Sequence, residues 1–222
     1  MTIQDVLPSV FDRRAAAVAV PITADLVSLL RVEEREGIRG AVPKRQHEFA
    51  AGRRCAHLAM AQLGCPAAPV AVGDDRAPIW PEGLVGSISH CEAWAAAVVA
   101  RKADGIRSIG LDLEPALPLP QDLVQTILRP EECLALGLLP VETQLQCARL
   151  IFSAKEAFFK CQYALTGAFI DFQAAAISLD LARRSFRAVL TGAVGAFPAG
   201  HSFDGRFHCD APIMVTGVTL EA

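Results

Sequence analysis

The chain has 222 residues, 52% of them hydrophobic, with a mean hydropathy of +0.34 and a formal net charge of −3. That suffices for one large domain or two small ones sharing a core, and the slight negative charge excludes non-specific nucleic-acid binding, which needs a basic excess to release counterions. The longest clean apolar run, Trp94 to Ala100, is too short to cross a bilayer, and charges from Asp5 to Arg14 break up any secretion signal, so a cytoplasmic protein without membrane association is expected.

In chain order, residues 24–36 read as an amphipathic helix with Thr23 as N-cap and Gly37 beyond its end. Pro43 opens a second helix that stops at Gly64, before Pro66. A loop rich in Gly, Asp and Pro spans 73–86. Residues 87–90 and 94–100 read as strands, and 107–114 as a third, ended by Pro115, Pro118 and Pro120. Helical stretches follow at 121–138 and 141–164, then short β-like runs at 174–180, 185–190, 203–209 and 213–220. No close sequence repeat is visible, but helices then strands, twice over, suggest two similar halves meeting near residue 105. The expected class is α+β (α/β), mostly antiparallel, with one half over 1–105 and the other over 106–222. Seven cysteines lack CxxC spacing; Cys55, Cys133, Cys147 and Cys161 fall in the helical stretches and read as small buried apolar residues. No glycine-rich fingerprint supports a Rossmann fold or a Walker loop.

Three constellations carry chemistry. In Ile109-Gly110-Leu111-Asp112-Leu113-Glu114 the two acids stand at i, i+2, on one face of a strand. In Phe152-Ser153-Ala154-Lys155-Glu156-Ala157-Phe158-Phe159-Lys160, Glu156 and Lys160 share one side of a helix that is otherwise apolar nearly all round, so its charges are partly buried and need partners. Three carboxylates and two ammonium groups suit Mg²⁺ and substrate phosphates, and the pair of segments reads as a phosphoryl-transfer site. Arg45, Phe49 and Arg53 form a ridge along the second helix, with guanidinium forks suited to phosphate oxygens. Finally, the loop through Arg76-Ala77-Pro78-Ile79-Trp80-Pro81 offers a wall for a flat base, and His90 of Gly86-Ser87-Ile88-Ser89-His90 a donor for phosphate. Without a GxSxG elbow the serines do not read as hydrolase nucleophiles.

GSISH, IGLDLE and FSAKEAFFK, preceded by KRxxEFxxGRxxA and RAPIWP, together resemble the larger bacterial 4′-phosphopantetheinyl transferases of the enterobactin and surfactin synthetase type, in family order over residues 44–172. The resemblance implies two similar α/β halves with coenzyme A between them, and transfer of its phosphopantetheine arm to a serine of an apo acyl or peptidyl carrier protein. It implies that Asp112, Glu114 and Glu156 hold Mg²⁺, with Mn²⁺ as alternative, on the pyrophosphate. Lys155 and Lys160 would face the same phosphates, and His90, with Ser89 beside it, the 3′-phosphate. Arg45 and Arg53 would hold the adenosine-side phosphates, and the loop from Asp75 through Arg76 and Ala77 to Pro78 would line the adenine. Glu156, directly or through a metal-bound water, would be the base. Two positions depart from the pattern: Phe152 stands where many relatives carry Trp, and Asp75-Arg76 where a lysine is often found. The residues also admit a Mg²⁺-dependent phosphoesterase using water, or a nucleotide-binding module without turnover. One chain supplying both walls of a cleft points to a monomer.

Overall fold

The computed structural model describes residues 3–210 and 212–222. The chain opens with helix α1 (Ile3–Val10), which buries Ile3, Val6, Leu7 and Val10 at i, i+3, i+4, i+7, and strand β1 (Ala15–Pro21). Two 3₁₀ turns flank the single turn α2 (Val32–Arg35), and then comes α3 (Pro43–Gln62). A two-residue ribbon, β2 (Ala71–Val72) with β3 (Pro78–Ile79), precedes the hairpin β4 (Leu84–Cys91) and β5 (Trp94–Arg101). Strand β6 (Ile106–Pro115) leads into α4 (Gln121–Ile127), α5 (Pro130–Leu136) and the long α6 (Val141–Thr166). Strands β7 (Ala175–Asp180), β8 (Ser185–Leu190), β9 (Ser202–His208) and β10 (Ile213–Glu221) complete the fold.

Apart from the β2–β3 ribbon, the strands form two antiparallel sheets, in the orders β1-β5-β4 and β6-β10-β9-β8-β7. In each, the half's first strand pairs with its last and its penultimate strand lies beyond, so both halves share one topology and the α+β expectation holds. Helix α3 covers the smaller sheet through Ala51, Cys55, Ala59 and Met60. Helix α6 covers the larger through Leu150, Ala154, Ala157, Phe158 and Cys161. A third cluster, with α1, lies between the sheets, so β10 is buried on both faces. No helix among the described residues is long and apolar enough to cross a membrane.

The edges of the two sheets meet at β4 and β6 through side chains rather than a backbone ladder. The Leu111 and Leu113 N–H groups donate to Ser87 Oγ (3.0 Å) and Ser89 Oγ (3.1 Å). Two serines at i, i+2 thus satisfy the outer edge of β6, which would otherwise bury unpaired donors.

Two helical expectations need correction. Residues 24–36 are not one helix, because Leu30 (ψ 136°) and Arg31 (ψ 160°) are extended. The stretch 121–138 breaks in the same way at Leu128 (ψ 144°) and Arg129 (ψ 156°), the latter restricted by Pro130. Strand β1 and helix α1 had not been anticipated. Both breaks serve a repeated device. Arg31, Glu34 and His57 recur at one constant offset as Arg129, Glu132 and Lys155. In each copy the glutamate reaches back to the arginine N–H (3.0 Å at Glu34, 2.7 Å at Glu132), as in a capping box. It also meets a nitrogen 23 residues on, His57 Nε2 (2.7 Å) or Lys155 Nζ (2.8 Å), and accepts the N–H of Val70 (2.8 Å) or Ile177 (2.6 Å). Both carboxylates are buried, so the kink that delivers them overrides the helix propensity of the flanking sequence.

Gly110 of β6 sets the distance to α6: a Cβ there would overlap the Ala157 carbonyl. Gly110→Ala is therefore expected to cost about 3 kcal/mol, because backbone rather than a flexible side chain has to move. Urea unfolding checks this through a lowered midpoint at unchanged m-value; an unchanged midpoint would mean that α6 is free to ride outward.

Candidate active site

Arg149, Ser153, Glu156 and Lys160 lie at i, i+4, i+7 and i+11 along α6, a single stripe that faces Asp112 and Glu114 of β6. Asp112 is almost wholly buried and takes three partners from two elements. Its Oδ1 accepts from Lys160 Nζ (2.7 Å) and from Ser89 Oγ of β4 (3.0 Å), and its Oδ2 accepts from Ser153 Oγ (2.8 Å). Ser153 Oγ also lies 2.8 Å from Thr216 Oγ1, on the β10 residue opposite Asp112. Lys160 Nζ further donates to Leu111 O (3.0 Å) and Ser89 Oγ (3.1 Å). Glu114 accepts from Arg149 Nη1 at 2.7 Å. The Glu156 side chain makes no hydrogen bond or ion pair among the described residues.

The electrostatics are those of crowded, half-desolvated acids. Burial, and then the negative charge of Asp112, push Glu114 up to about 7 against the opposing pull of Arg149. Burial also raises Glu156, with Lys160 opposing and Asp112 adding to the shift. Such a group of carboxylates is short of positive charge. No group of three or more His, Cys, Asp or Glu side chains among the described residues is placed to hold a metal ion by itself. An open set is nonetheless what Mg²⁺ uses, since it takes one or two carboxylates and completes its shell with phosphate oxygens and water. Asp112 has three of its roughly four acceptor positions filled, and Glu156 has all of its own to offer. The donor set fits a hard divalent cation held jointly with an anionic ligand.

On the other wall, Arg45 Nη1 lies 3.1 Å from His90 Nε2, and Glu48 gathers both, at 3.7 Å from Arg45 and 3.8 Å from His90. Burial lowers the His90 pKa, partly offset by Glu48. Arg53 is buried, with Nε donating to Val70 O (2.8 Å) and its guanidinium 4.0 Å over the Phe49 ring; burial takes its pKa down to about 10. Most of Arg53 therefore serves the backbone rather than the cleft. Asp75 accepts from the Ala77 N–H (2.9 Å) inside its turn and from Tyr163 of α6 (2.9 Å), while Arg76, at φ 68°, is exposed. Ala77 and Pro78 are half-buried beneath them.

Lys155 is a correction. One position from Glu156, it projects about 100° away around the helix and is only 3% exposed. Its ammonium is spent on Glu132, Ile127 O (2.8 Å) and Phe172 O (2.8 Å), so it does not face the phosphates expected of it. Conversely, sequence reasoning passed over Ser153, Arg149 and Glu48. The first two were legible as members of the Glu156–Lys160 stripe, and Glu48 as the i+3 partner of Arg45.

Beside Glu156 an apolar cavity of about 380 Å³ is lined by Phe158, Phe159, Phe169, Ile170 and Phe172. A larger hollow, about 730 Å³, lies between α1 and β7–β9, and three of its arginines are paired: Arg14 with Asp12 and Glu221, Arg183 with Asp180, Arg187 with Asp204. Uncompensated charge, not volume, picks out the β4–β6–α6 cleft.

Residues 33–100 match the sequence model of the 4′-phosphopantetheinyl transferase N-terminal domain, and 108–209 that of the 4′-phosphopantetheinyl transferase superfamily. The chain is 40% identical over 201 residues to 4′-phosphopantetheinyl transferase Svp of Streptomyces mobaraensis, covering 89% of this chain and 81% of that one. It is 34% identical over 194 residues to 4′-phosphopantetheinyl transferase PptT of Mycobacterium tuberculosis, 85% of each. With enterobactin synthase component D of Escherichia coli K12 it shares 38% over 133 residues, 59% of this chain and 61% of that one.

The two lysines of the KEAxxK segment should separate experimentally. Lys155→Met leaves Glu132 buried without its cation and is expected to lower stability by about 3 kcal/mol, while calorimetric affinity for a pyrophosphate probe stays at the wild-type value. Lost affinity at unchanged stability would return Lys155 to the phosphates.

Proposed function

The chain belongs to the 4′-phosphopantetheinyl transferase superfamily and is a transferase enzyme, and from that premise we propose that it moves the phosphopantetheine arm of coenzyme A to a serine hydroxyl of apo acyl or peptidyl carrier proteins, with Mg²⁺ and as a monomer. The observation that carries this reading is the Asp112 hub, where Ser89 of one half and Ser153 and Lys160 of the other converge on one buried carboxylate beside the unpartnered Glu156.

In this reading coenzyme A lies across the cleft between the halves, taken as 1–105 and 106–222. Arg45 and His90, 3.1 Å apart and gathered by Glu48, present two cationic or donor groups to the 3′-phosphate side of the nucleotide. The turn from Asp75 to Pro78 borders the base. The apolar cavity beside Glu156 takes the pantetheine arm, with the stem of Lys155 as part of its wall. Of the three acids, Asp112 and Glu156 would hold the cation together with the ligand, with Glu114, engaged by Arg149, beside them; when bound, the cation neutralises charge on the pyrophosphate and supplies Lewis acidity.

The carrier serine oxygen forms a bond to the β-phosphorus as the bond to the bridging oxygen breaks, and adenosine 3′,5′-bisphosphate leaves with the electron pair. Lys160, held by Asp112 at 2.7 Å, places a fixed positive charge where negative charge develops. Glu156 takes the serine proton: its carboxylate has no competing donor, and burial raises its affinity for a proton above that of an exposed glutamate.

Incubating the protein with apo carrier protein, coenzyme A and Mg²⁺ should convert the carrier to its phosphopantetheinylated mass. Release of adenosine 3′,5′-bisphosphate without carrier would indicate hydrolysis instead. Asp112→Asn, which keeps the shape but not the charge, should lower turnover by about 100-fold or more. For Glu156→Gln, single-turnover transfer at saturating Mg²⁺ should nearly vanish while coenzyme A still binds. A rate within a few-fold of wild type would put the base elsewhere.

A further inference from the structure

Val70, fully buried at the entrance to the β2–β3 ribbon, is gripped at both of its backbone polar groups by side chains of opposite charge. Its N–H donates to Glu34 Oε1 at 2.8 Å, and its carbonyl accepts from Arg53 Nε at 2.8 Å. Arg53 Nη2 reaches on to Ala71 O at 3.4 Å. Glu34 is itself fixed by His57 Nε2 (2.7 Å) and the Arg31 N–H (3.0 Å), with no exposed surface. Burial works against its ionisation, yet these donors hold its pKa below the ordinary carboxylate range.

What hangs from this grip is small. The ribbon pairs Ala71 with Ile79 and Val72 with Pro78, and then closes in the turn where Gly73 N–H donates to Ala77 O (2.9 Å) and Arg76 N–H to Gly73 O (2.9 Å). A two-residue ribbon cannot hold its own orientation in water. Its tip is tied separately to α6 by the Tyr163–Asp75 bond, and its root by Val70. Apolar packing in place of the whole cluster would serve stability about as well as a buried ionic group. The carboxylate adds direction, because it fixes where the Val70 N–H points and so where the chain leaves the body of the half.

We propose that Glu34, backed by His57, is a positioning residue for recognition of the nucleotide half of coenzyme A, holding Val70 so that the 73–78 turn stands at the base. The proposal rests on the reading of that turn as the nucleotide wall. Glu34 lies outside the arginine, GSISH, DxE and KEAxxK segments and touches neither the phosphates nor the reacting atoms.

The full chain would be assayed as Glu34→Gln and as His57→Gln, for kcat, for KM of coenzyme A and of the carrier, and for inhibition by adenosine 3′,5′-bisphosphate. Glu34→Gln loses a charged acceptor for Val70, so KM for coenzyme A and Ki for the bisphosphate should both rise about tenfold. At the same time kcat and the carrier KM should stay within about twofold of wild type. His57→Gln keeps the carboxylate and should show the same pattern at about threefold, a readout that survives if Glu34→Gln does not fold. Faster exchange of the Val70 amide should accompany both. A lowered melting temperature with KM and Ki unchanged would overturn the proposal and leave Glu34 a structural group only, as would a fall in kcat or a rise in the carrier KM alone. Wild-type protein that transfers nothing from coenzyme A would instead overturn the functional reading beneath it.

Discussion

A carboxylate taken out of water has to be compensated, and Asp112 is compensated from both halves of the molecule together. Ser89 comes from the edge strand of one sheet, Ser153 and Lys160 from the helix covering the other, and Asp112 itself sits between them on β6. The Ser89 contact is lost if β4 slides along β6, and the Ser153 and Lys160 contacts if α6 lifts from the sheet. Gly110, two residues before Asp112, lets α6 approach within backbone contact; the Ser87 and Ser89 hydroxyls fix the register of β4 against Leu111 and Leu113. Packing and charge therefore act on the same joint, and the cleft inherits its shape from it.

The charges that do no direct chemistry are as ordered as those that do. Glu34 and Glu132 each fold a short helical turn back on its arginine, capture a nitrogen on the long helix of their half, and receive one backbone N–H from the segment after that helix. Each thus ties three stretches of chain that are distant in sequence, a use of a buried ion that apolar packing does not replace geometrically.

Much of the cleft could be read beforehand because strand and helix periods are fixed. Acids at i, i+2 on β6 share a face, and the Glu156–Lys160 spacing defines a helix stripe whatever surrounds it. The same reasoning failed at Lys155: its neighbour Glu156 faces the cleft, and only tertiary structure says that Glu132 waits on the other side. Residues 24–36 looked helical because Leu, Glu and Arg favour helix locally, and the break at Leu30–Arg31 follows from Glu34's distant partners. Strand β1 escaped because Ala15–Pro21 is nearly all alanine and valine, which leaves no alternation to detect. The Arg-x-x-Glu recurrence is only a few letters long and gains meaning once its hydrogen bonds are seen.

The recurrence also exposes a division of labour. Carried along the long helices at the same offset, Glu156 corresponds to Leu58 and Lys160 to Gln62. Leu58 is half-buried against the core of the smaller sheet and Gln62 is exposed, so the face that carries the acid and lysine on the second helix carries no charge on the first. The scaffold is present in duplicate while the groups proposed to react exist in one copy only. Such a molecule has no symmetric counterpart site to silence or to keep out of register, and its first half is free to diverge as a recognition surface as long as its buried anchor persists.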